Sequence, residues 1–355
     1  MKRVFPILLI VCLLLSACAK TPAPTVPSTE PSTVPTTAAP TTEATQPTEE
    51  TLPAAAEYSN PLTGEKLEEP YTDRPVAITI NNVDPAYPHH GLNDVDVYFE
   101  MLVNDNATRG LAIYAIPENA PVVGSVRSAR YNFVDVCQAY NAVLAHAGGS
   151  DEVMSEVHSR IDNLDAMIGE GSYFYRDSTR QSQGYAFEHT LFTTGKMLVE
   201  FAQAQGLDMT QAPGTDYGLH FAPDGTPDGE DANVVVLSFW GKTTRMTYDP
   251  ETNRYLNREY GEDMIDGNTG EREGFTNVFA IQTDVSNYGV YHVADLLGSG
   301  DGYYASGGKI VPIQWHHEKA EDPFTFTLLD GTPLVQTIGS SYVGIVPMSS
   351  QVTWE

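Results

Sequence analysis

The 355-residue chain contains 47 Asp and Glu residues against 19 Lys and Arg, a net charge of −28 at pH 7 with neutral histidines. Five of these acids and three of these bases precede Tyr58, so the rest of the chain carries 42 acids and 16 bases. Neutralising phosphates takes many Lys and Arg residues, so the charge excludes a general nucleic-acid binder and a polybasic membrane-surface protein.

The first eighteen residues have the features of an export signal. Met1-Lys2-Arg3 is positively charged, and residues 4–15 form an apolar stretch of 12 residues, shorter than the roughly 20 that a membrane-spanning helix needs. Leu15-Ser16-Ala17-Cys18 then resembles a bacterial lipobox. We predict a signal peptide over residues 1–17 and acylation of Cys18, which would anchor the protein at the extracytoplasmic face of the cell membrane. The alternative is an ordinary secretory signal with a chance cysteine.

Cysteine use agrees with this prediction. Cys12 would leave with the signal and Cys18 would carry lipid, so the folded part retains Cys137 alone and cannot form an intramolecular disulfide. Cys137 lies among apolar residues, which favours a small buried side chain over a nucleophile.

Residues 18–57 predict a disordered tether. Residues 19–57 contain 11 Thr and 8 Pro and no aromatic residue, so they cannot bury enough apolar surface to offset the entropy of ordering. The tether would raise the folded part above the membrane by on the order of 100 Å.

Residues 58–206 alternate between strand and helix patterns and predict an α/β N-terminal module. Apolar, β-branched runs predict strands over residues 74–81, 95–103, 109–116 and 141–146. Helices are expected over residues 125–140 with Ser125 or Ser128 as the cap, from Ser150 onward, and over residues 194–205 with Gly206 at the end.

Residues 207–232 are rich in Gly, Pro and Asp and are predicted to connect two modules. Residues 233–355 contain strand signals and few helix signals, including a hairpin around residues 249–253. We therefore predict an α+β protein: an α/β N-terminal module followed by a mostly β C-terminal module.

The densest polar motif is Gly124-Ser-Val-Arg127-Ser-Ala-Arg130. On a helix, Arg127 and Arg130 would lie on one face, beside exposed backbone N–H groups that attract anions. Ser125 and Ser128 would add hydroxyl donors. This pattern predicts a phosphate or carboxylate site; the alternative is a buried ion-pair hub that joins acidic neighbours.

Further polar residues follow predicted strands. His146 ends a strand and is followed by Gly148 and Gly149, a position where open α/β sheets often bind ligands. Arg176 could complete the anion pocket, and His146 and His189 could act as catalytic acid or base groups. A lone histidine is more often a hydrogen-bonded structural residue.

Metal and cofactor motifs are absent from the sequence, which contains no HExxH, CxxC or GxSxG pattern. We expect no cofactor and assign no metal ligands. Asp94, Asp96 and Glu100 could line a ligand face or could form a solvated face.

A family resemblance appears at these residues. Residues 73–82, 124–130, 146–150 and 175–177, together with 248–255 and 313–316 near the other end, resemble the YerB-like lipoproteins. That family has N- and C-terminal modules of unknown function. The resemblance implies a Gram-positive type of envelope lipoprotein and supplies no activity. The chain departs from the family pattern around His189 and after Trp315.

Three functions remain open at this stage. The first is a binding module that holds an anionic envelope glycan, lipid phosphate or peptide at Arg127, Arg130 and Arg176, with the histidines orienting it. The second is an enzyme at the same site that hydrolyses or transfers a phosphoryl or glycosyl-phosphate group. The third is an assembly factor that docks a protein partner through its β-rich half.

Overall fold

The computed structural model describes residues 58–104 and 107–355, which lie in one compact unit, Leu52–Glu355. The predicted signal peptide, the acylated Cys18 and the tether fall outside the described residues.

The N-terminal part combines short helices with strands. Its strands are β1 (Tyr58–Ser59), β2 (Lys66–Leu67), β3 (Val76–Asn82), β4 (Val97–Asn104), β5 (Ala107–Tyr114), β6 (Val122–Gly124), β7 (Val143–His146), β8 (Asn163–Asp165), β9 (Tyr175–Arg176) and β10 (Leu191–Thr194). Its α-helices are α1 (Tyr131–Ala139), α2 (Asp151–Arg160), α3 (Ala166–Gly169), α4 (Ser178–Ser182) and α5 (Gly195–Gln205). Single 3₁₀ turns occur at Asp84–Ala86, Leu92–Asp94, Pro117–Asn119 and Phe187–His189.

The C-terminal part is built from strands. They are β11 (His220–Ala222), β12 (Glu230–Asp231), β13 (Val234–Phe239), β14 (Lys242–Asp249), β15 (Arg254–Glu259), β16 (Glu262–Asp263), β17 (Gly274–Phe275), β18 (Asn277–Thr283), β19 (Val285–Tyr288), β20 (Tyr291–Ala294), β21 (Gly298–Ser306), β22 (Lys309–His317), β23 (Thr325–Leu328), β24 (Val335–Thr337), β25 (Ser341–Pro347) and β26 (Val352–Trp354).

One mixed sheet runs through both parts of the chain. Its main path is β12-β22-β21-β18-β25-β4-β5-β3-β7-β8, and the parallel pair β25–β4 joins the C-terminal strands to the N-terminal ones. A separate sheet, β16-β15-β14-β13-β26, packs against it. The C-terminal module therefore continues the sheet of the N-terminal module.

Each face of the large sheet is covered by an apolar core, as alternation along the strands requires. On β3, Ala77 points into one core, which α1 covers with Phe133 and Cys137. Ile78 points into the other core, which α5 and the separate sheet cover. Burial raises the pKa of the Cys137 thiol, so Cys137 is a core residue and not a nucleophile at neutral pH.

Two predicted helices form close to their predicted starts, and Ser150 is the cap that the sequence predicted. The Ser150 hydroxyl accepts a hydrogen bond from the Val153 N–H at the start of α2, and Thr194 caps α5 in the same way. Gly206 ends α5 in the left-handed region, at φ 72°. The predicted α+β fold is confirmed.

One helix prediction is wrong. The helix expected over residues 125–140 begins only at Tyr131, and neither Ser125 nor Ser128 caps it. Residues 125–130 are instead extended, because their backbone bonds to neighbouring strands. This change decides the geometry of the candidate site.

A buried polar network joins the two modules. Lys242 on β14 donates to Glu100 Oε1 at 2.7 Å and also contacts Glu259 on β15. Burial alone would lower the pKa of Lys242. The Glu100 and Glu259 carboxylates together have the larger effect, so the pKa of Lys242 is raised above its usual value. Glu100, expected on a ligand or solvated face, is instead fully buried in this network. Its oxygens also accept hydrogen bonds from Asn82, Thr108, Thr244 and Tyr342.

Candidate anion-binding site

Backbone hydrogen bonds to other elements hold the motif around Arg127 in place. The Val126 N–H donates to the Leu191 carbonyl at 2.8 Å, and the Arg127 N–H donates to the Thr79 carbonyl at 3.2 Å. The Ala129 N–H donates to the Gly148 carbonyl at 2.9 Å. These bonds hold residues 125–130 along the second half of β3 and beside the turn after β7, so Arg127 and Arg130 are brought together by the loop and not by a shared helical face.

Three arginines form the candidate site, which we call the arginine cluster: Arg109, Arg127 and Arg130. Arg109, on β5, is only 6% exposed and donates to the Ser128 carbonyl at 2.8 Å. Burial lowers its pKa well below the usual value, and the charges of Arg130 and Arg127 lower it further. The positive charges of Arg127 and Arg130 are therefore close enough to Arg109 to affect its pKa.

The arginine cluster has no acidic partner in the part of the chain that the structure describes. The Nε atom of each of the three arginines is buried and unpartnered. Among the residues in the described ranges, none supplies a carboxylate within ion-pair distance of them, and the Arg127 guanidinium donates no hydrogen bond. Arg130 donates to the Ala129 carbonyl at 2.8 Å and to Asn104 Oδ1 at 3.3 Å, and lies over the Tyr291 ring at 5.2 Å. An uncompensated buried charge costs several kcal/mol, so a bound anion would stabilise this arrangement.

Ser125 and Asn132 lie beside the cluster in sequence and also have buried, unpartnered polar atoms. The Ser125 hydroxyl is fully buried, as is the Asn132 side-chain amide nitrogen. Ser128 contributes its carbonyl to Arg109, and its side chain is half-buried. Buried polar groups are normally hydrogen-bonded, so both atoms are candidates for contact with a ligand.

His189 is adjacent to the cluster and is neutral at pH 7. Burial lowers its pKa, the charges of Arg127 and Arg180 lower it further, and Glu188 opposes them. Asn81 Nδ2 lies 2.7 Å from His189 Nδ1, so the ring accepts there and carries its proton on Nε2. A neutral imidazole N–H is a suitable donor to an anionic oxygen.

His146 is fully buried within the fold. Its Nδ1 lies 3.0 Å from the Gly148 carbonyl oxygen, and its Nε2 lies 3.2 Å from Asn163 Oδ1. Gly148, at φ 62°, donates its N–H to Asp165 at 2.9 Å, and Gly149 is exposed. Both ring nitrogens are thus engaged within the fold, one with the turn after β7 and the other with Asn163 on β8, which favours a positioning role over contact with a ligand.

Arg176 lies close by but is already paired. It forms two 2.8 Å hydrogen bonds with the Glu170 carboxylate, and its guanidinium stacks on the Phe187 ring at 3.7 Å. Burial is the main cause that lowers the pKa of Arg127. The charge of Arg176 lowers that pKa further, whereas Glu188 acts to raise it. Arg176 therefore borders the arginine cluster, with its own charge largely neutralised.

Two arginines were missed by sequence reasoning. Arg109 stands in an otherwise apolar strand, and an arginine in such a place is itself a signal, because arginine is rarely buried without a partner. Arg180, on α4, is 4% exposed and donates to the carbonyls of Ala86 and His189 at 2.9 Å each. Its place in a short polar segment gave no such signal.

Comparisons with known proteins identify the family. The description "Protein of unknown function (DUF3048) N-terminal domain" matches residues 62–208, and the corresponding C-terminal domain matches residues 235–343. The chain is 28% identical over 308 residues to "Putative lipoprotein YerB" of Bacillus subtilis (strain 168), covering 82% of this chain and 87% of that protein.

The structural comparison agrees. The crystal structure of the YerB protein from Bacillus subtilis matches with a TM-score of 0.71 at 24% identity, covering 83% of this chain and 99% of that one. At this identity the match establishes the fold alone. Within residues 58–104 and 107–355, no helix has the length and apolar character to cross a membrane. The two domain matches together cover more than half of the sequence, and the chain belongs to the DUF3048 family of lipoprotein-like proteins of unknown function.

Proposed function

We propose that this protein is a lipoprotein anchored through acylated Cys18 at the extracytoplasmic face of the membrane. Its N-terminal module would bind an anionic ligand of the cell envelope at the arginine cluster. The observation that carries the proposal is that Arg109, Arg127 and Arg130 each keep a buried Nε without a partner. A protein with net charge −28 has many carboxylates that could have paired with them.

The chemistry of the ligand follows from the donors. Guanidinium groups bind phosphate and carboxylate oxygens with two parallel hydrogen bonds, and His189 Nε2–H would add one more. An envelope glycan phosphate, a lipid phosphate and a peptide carboxylate all offer such oxygens. Nucleic acid does not fit, because the acidic remainder of the surface would repel a long polyanion.

Thermal unfolding tests the proposal. Both apolar cores lie within Leu52–Glu355, so a chain that begins at Leu52 retains the packing of the fold. A saturating anion, at 100 times its Kd, should raise the free energy of unfolding by about 2.7 kcal/mol. The panel would contain phosphate, pyrophosphate, muropeptides and teichoic-acid fragments. We expect Arg127→Ala with Arg130→Ala to abolish the shift.

The matched control is Arg245→Ala, which removes an exposed arginine paired with Glu355. It should leave the ligand shift unchanged. Unliganded stability separates the two interpretations of the motif. Removing an arginine from a buried ion-pair hub costs about 3–5 kcal/mol, whereas removing the unpaired Arg127 should cost less than about 1 kcal/mol. An equal ligand shift in wild type and the double variant would contradict the proposal.

His189 supports an envelope enzyme as a second candidate. A neutral histidine beside unpaired arginines could transfer a proton during hydrolysis or transfer of a phosphoryl or glycosyl-phosphate group. Phosphate release from a bound phosphate ester would be the assay. The enzyme hypothesis requires release by wild type and its loss in His189→Asn with ligand binding retained.

A further inference from the structure

Large apolar side chains stand exposed on several sides of the arginine cluster. We call this set the apolar rim, and its members are Met167 (71% exposed), Ile168 (78%), Phe187 (63%), Tyr288 (60%) and Val290 (68%). Scattered exposed apolar residues are ordinary, but a group of them around one polar site indicates an interaction surface.

Two parts of the apolar rim adjoin the loop that carries the arginines. A Cβ atom placed on Gly148 would lie 3.2 Å from Met167 Cγ, and the Gly148 carbonyl accepts the Ala129 N–H. Phe187 stacks on Arg176, whose charge acts on Arg127. Met167, with Ile168 next to it in sequence, and Phe187 therefore flank the residue 125–130 loop.

The remaining part lies on the hairpin of β19 and β20. The Tyr288 ring packs at 5.5 Å against Tyr131, the residue that follows Arg130. Val290 precedes Tyr291, whose ring lies under the Arg130 guanidinium. The exposed tip of this hairpin thus stands beside the arginine cluster, on the side of Arg130.

We propose that the anion is the phosphate of a membrane lipid, and that the apolar rim enters the bilayer interface while the arginine cluster holds the phosphate. This inference rests on the proposed function and specifies its ligand. Aromatic and aliphatic side chains around a cationic centre match a headgroup region, where phosphate lies above acyl chains.

The side chains of the apolar rim favour a lipid over a soluble glycan. Ile168, Met167 and Val290 offer no hydrogen-bonding groups to a sugar, whereas the bilayer interface accepts such side chains readily. The negative charge of the rest of the protein would repel a strongly anionic surface, so binding needs one well-placed headgroup in a mostly neutral bilayer.

The hydrocarbon chains would remain in the bilayer. A groove of about 660 Å³ next to the hairpin is lined by Tyr131 and Tyr288, but also by Asp151, Glu152 and Glu156. Carboxylates on its wall exclude it as a pocket for an acyl chain. The protein would therefore bind the lipid in place and would not extract it.

Vesicle flotation with the Leu52–Glu355 chain tests this inference. One set of vesicles is phosphatidylcholine in which about one lipid in ten is phosphatidic acid, and a second set carries phosphatidylglycerol at the same charge. Soluble glycerol 3-phosphate and inorganic phosphate, followed by thermal shift, report binding of the headgroup alone. We expect flotation with phosphatidic acid vesicles, and at least tenfold weaker binding to either soluble phosphate.

Two sets of variants test the apolar rim and the arginine cluster separately. Ile168→Ser with Val290→Ser should weaken vesicle binding about tenfold or more and preserve the shift with soluble phosphate. Arg127→Ala should lose both. Leu297→Ser with Leu329→Ser is the matched control, because these side chains are 53% and 60% exposed outside the apolar rim. The control should float like wild type.

Failure of the lipid inference can be distinguished from failure of the proposed function. If soluble phosphate binds through Arg127 but no vesicle does, or if the rim variant floats like wild type, the lipid inference is overturned. The proposed anion site then stands, with a soluble phosphoglycan or a phosphate-bearing protein as its ligand. If neither soluble phosphate nor vesicles bind, the lipid inference is overturned, and the proposed function fails as well unless a carboxylate ligand such as a muropeptide gives a thermal shift that depends on Arg127.

Discussion

At the scale of single residues, the candidate site is defined by arginines that have no acidic partner among the described residues. The sequence motif predicted Arg127 and Arg130 as site residues, whereas the third member of the cluster, Arg109, was not predicted. What the sequence cannot reveal is pairing: Arg176 has the same chemistry, yet it is neutralised by Glu170. Whether a charge is compensated depends on tertiary contacts between residues that no local pattern relates.

The same limit applies to the histidines. His146 and His189 both follow sequence features typical of ligand sites, and they differ only in their surroundings. His146 has one ring nitrogen bonded to the turn after β7 and the other to Asn163 on β8, whereas the bonds around His189 leave Nε2 as its donor. Of the two, His189 is the better candidate for contact with a ligand.

Asp96 gives a prediction about pH at this scale. Burial raises its pKa from 3.8 to about 6, against hydrogen bonds from the Ala115 N–H and the Asn60 amide. A carboxyl whose pKa is raised on folding stabilises the folded state below the unfolded pKa, and this stabilisation is lost as pH rises through about 6. Stability from Asp96 should therefore fall between about pH 4 and pH 6.

Asp96→Asn should remove this dependence. We expect the free energy of unfolding of the variant, minus that of wild type, to rise by up to about 3 kcal/mol between pH 4 and pH 6.5. Urea unfolding at a series of pH values measures the difference. Parallel profiles for the two proteins would show that the Asp96 carboxyl titrates normally.

At the scale of secondary-structure elements, the sequence predicted the starts and ends of helices well where the hydrogen bonds of the backbone are local. The caps Ser150 and Thr194 and the left-handed Gly206 all act within one turn of their helices. Residues 125–130 carry equally good helix signals, but their N–H and C=O groups bond to Thr79, Leu191 and Gly148 from other elements. Tertiary hydrogen bonds outweighed helix propensity, as weak propensities allow.

The Lys242 network allows a second prediction, at the contact of β4 with β14 and β15. Lys242→Met would leave the Glu100 and Glu259 carboxylates facing each other in a buried space. Removing one partner of a buried ion pair costs about 3–5 kcal/mol, and we expect a loss of that size. Denaturant unfolding at pH 7 measures it.

A compensating variant serves as the control. Lys242→Met combined with Glu100→Gln and Glu259→Gln removes the stranded charges, so it should recover most of the lost stability. If Lys242→Met alone stays within about 1 kcal/mol of wild type, the network does not hold the modules together through charge.

At the scale of the whole molecule, the sequence indicated the class of each module but not how the modules join. The Gly-rich β21 gave no strand signal, and only some strands of the C-terminal half, such as those of the hairpin around residues 249–253, were predictable from the sequence. Their partners were not, because β25 pairs with β4 across more than 200 residues, with Ser341 opposite Val97 and Ile345 opposite Met101. Pairings at such separation depend on the whole chain and leave no local trace.

The shared sheet gives the last prediction. All seven residues of β25 are buried, and without this strand β4 would present an open edge of unpaired N–H and C=O groups. Residues 58–206 alone would also lose the core contacts that the C-terminal strands make with Phe99 and Met101. We therefore expect the isolated N-terminal module to unfold without a cooperative transition, whereas Leu52–Glu355 should unfold in one.

Circular dichroism and calorimetry on both chains measure this difference, and co-expression of residues 58–206 with residues 207–355 is the control. Because strand pairing needs no covalent link, the two pieces should assemble into a complex that regains the single transition. If residues 58–206 unfolded cooperatively by themselves near the wild-type melting temperature, the β4–β25 pairing would be a contact between independent domains. The anion site, which lies on elements of the N-terminal module apart from the β20 hairpin, could then act without the second module.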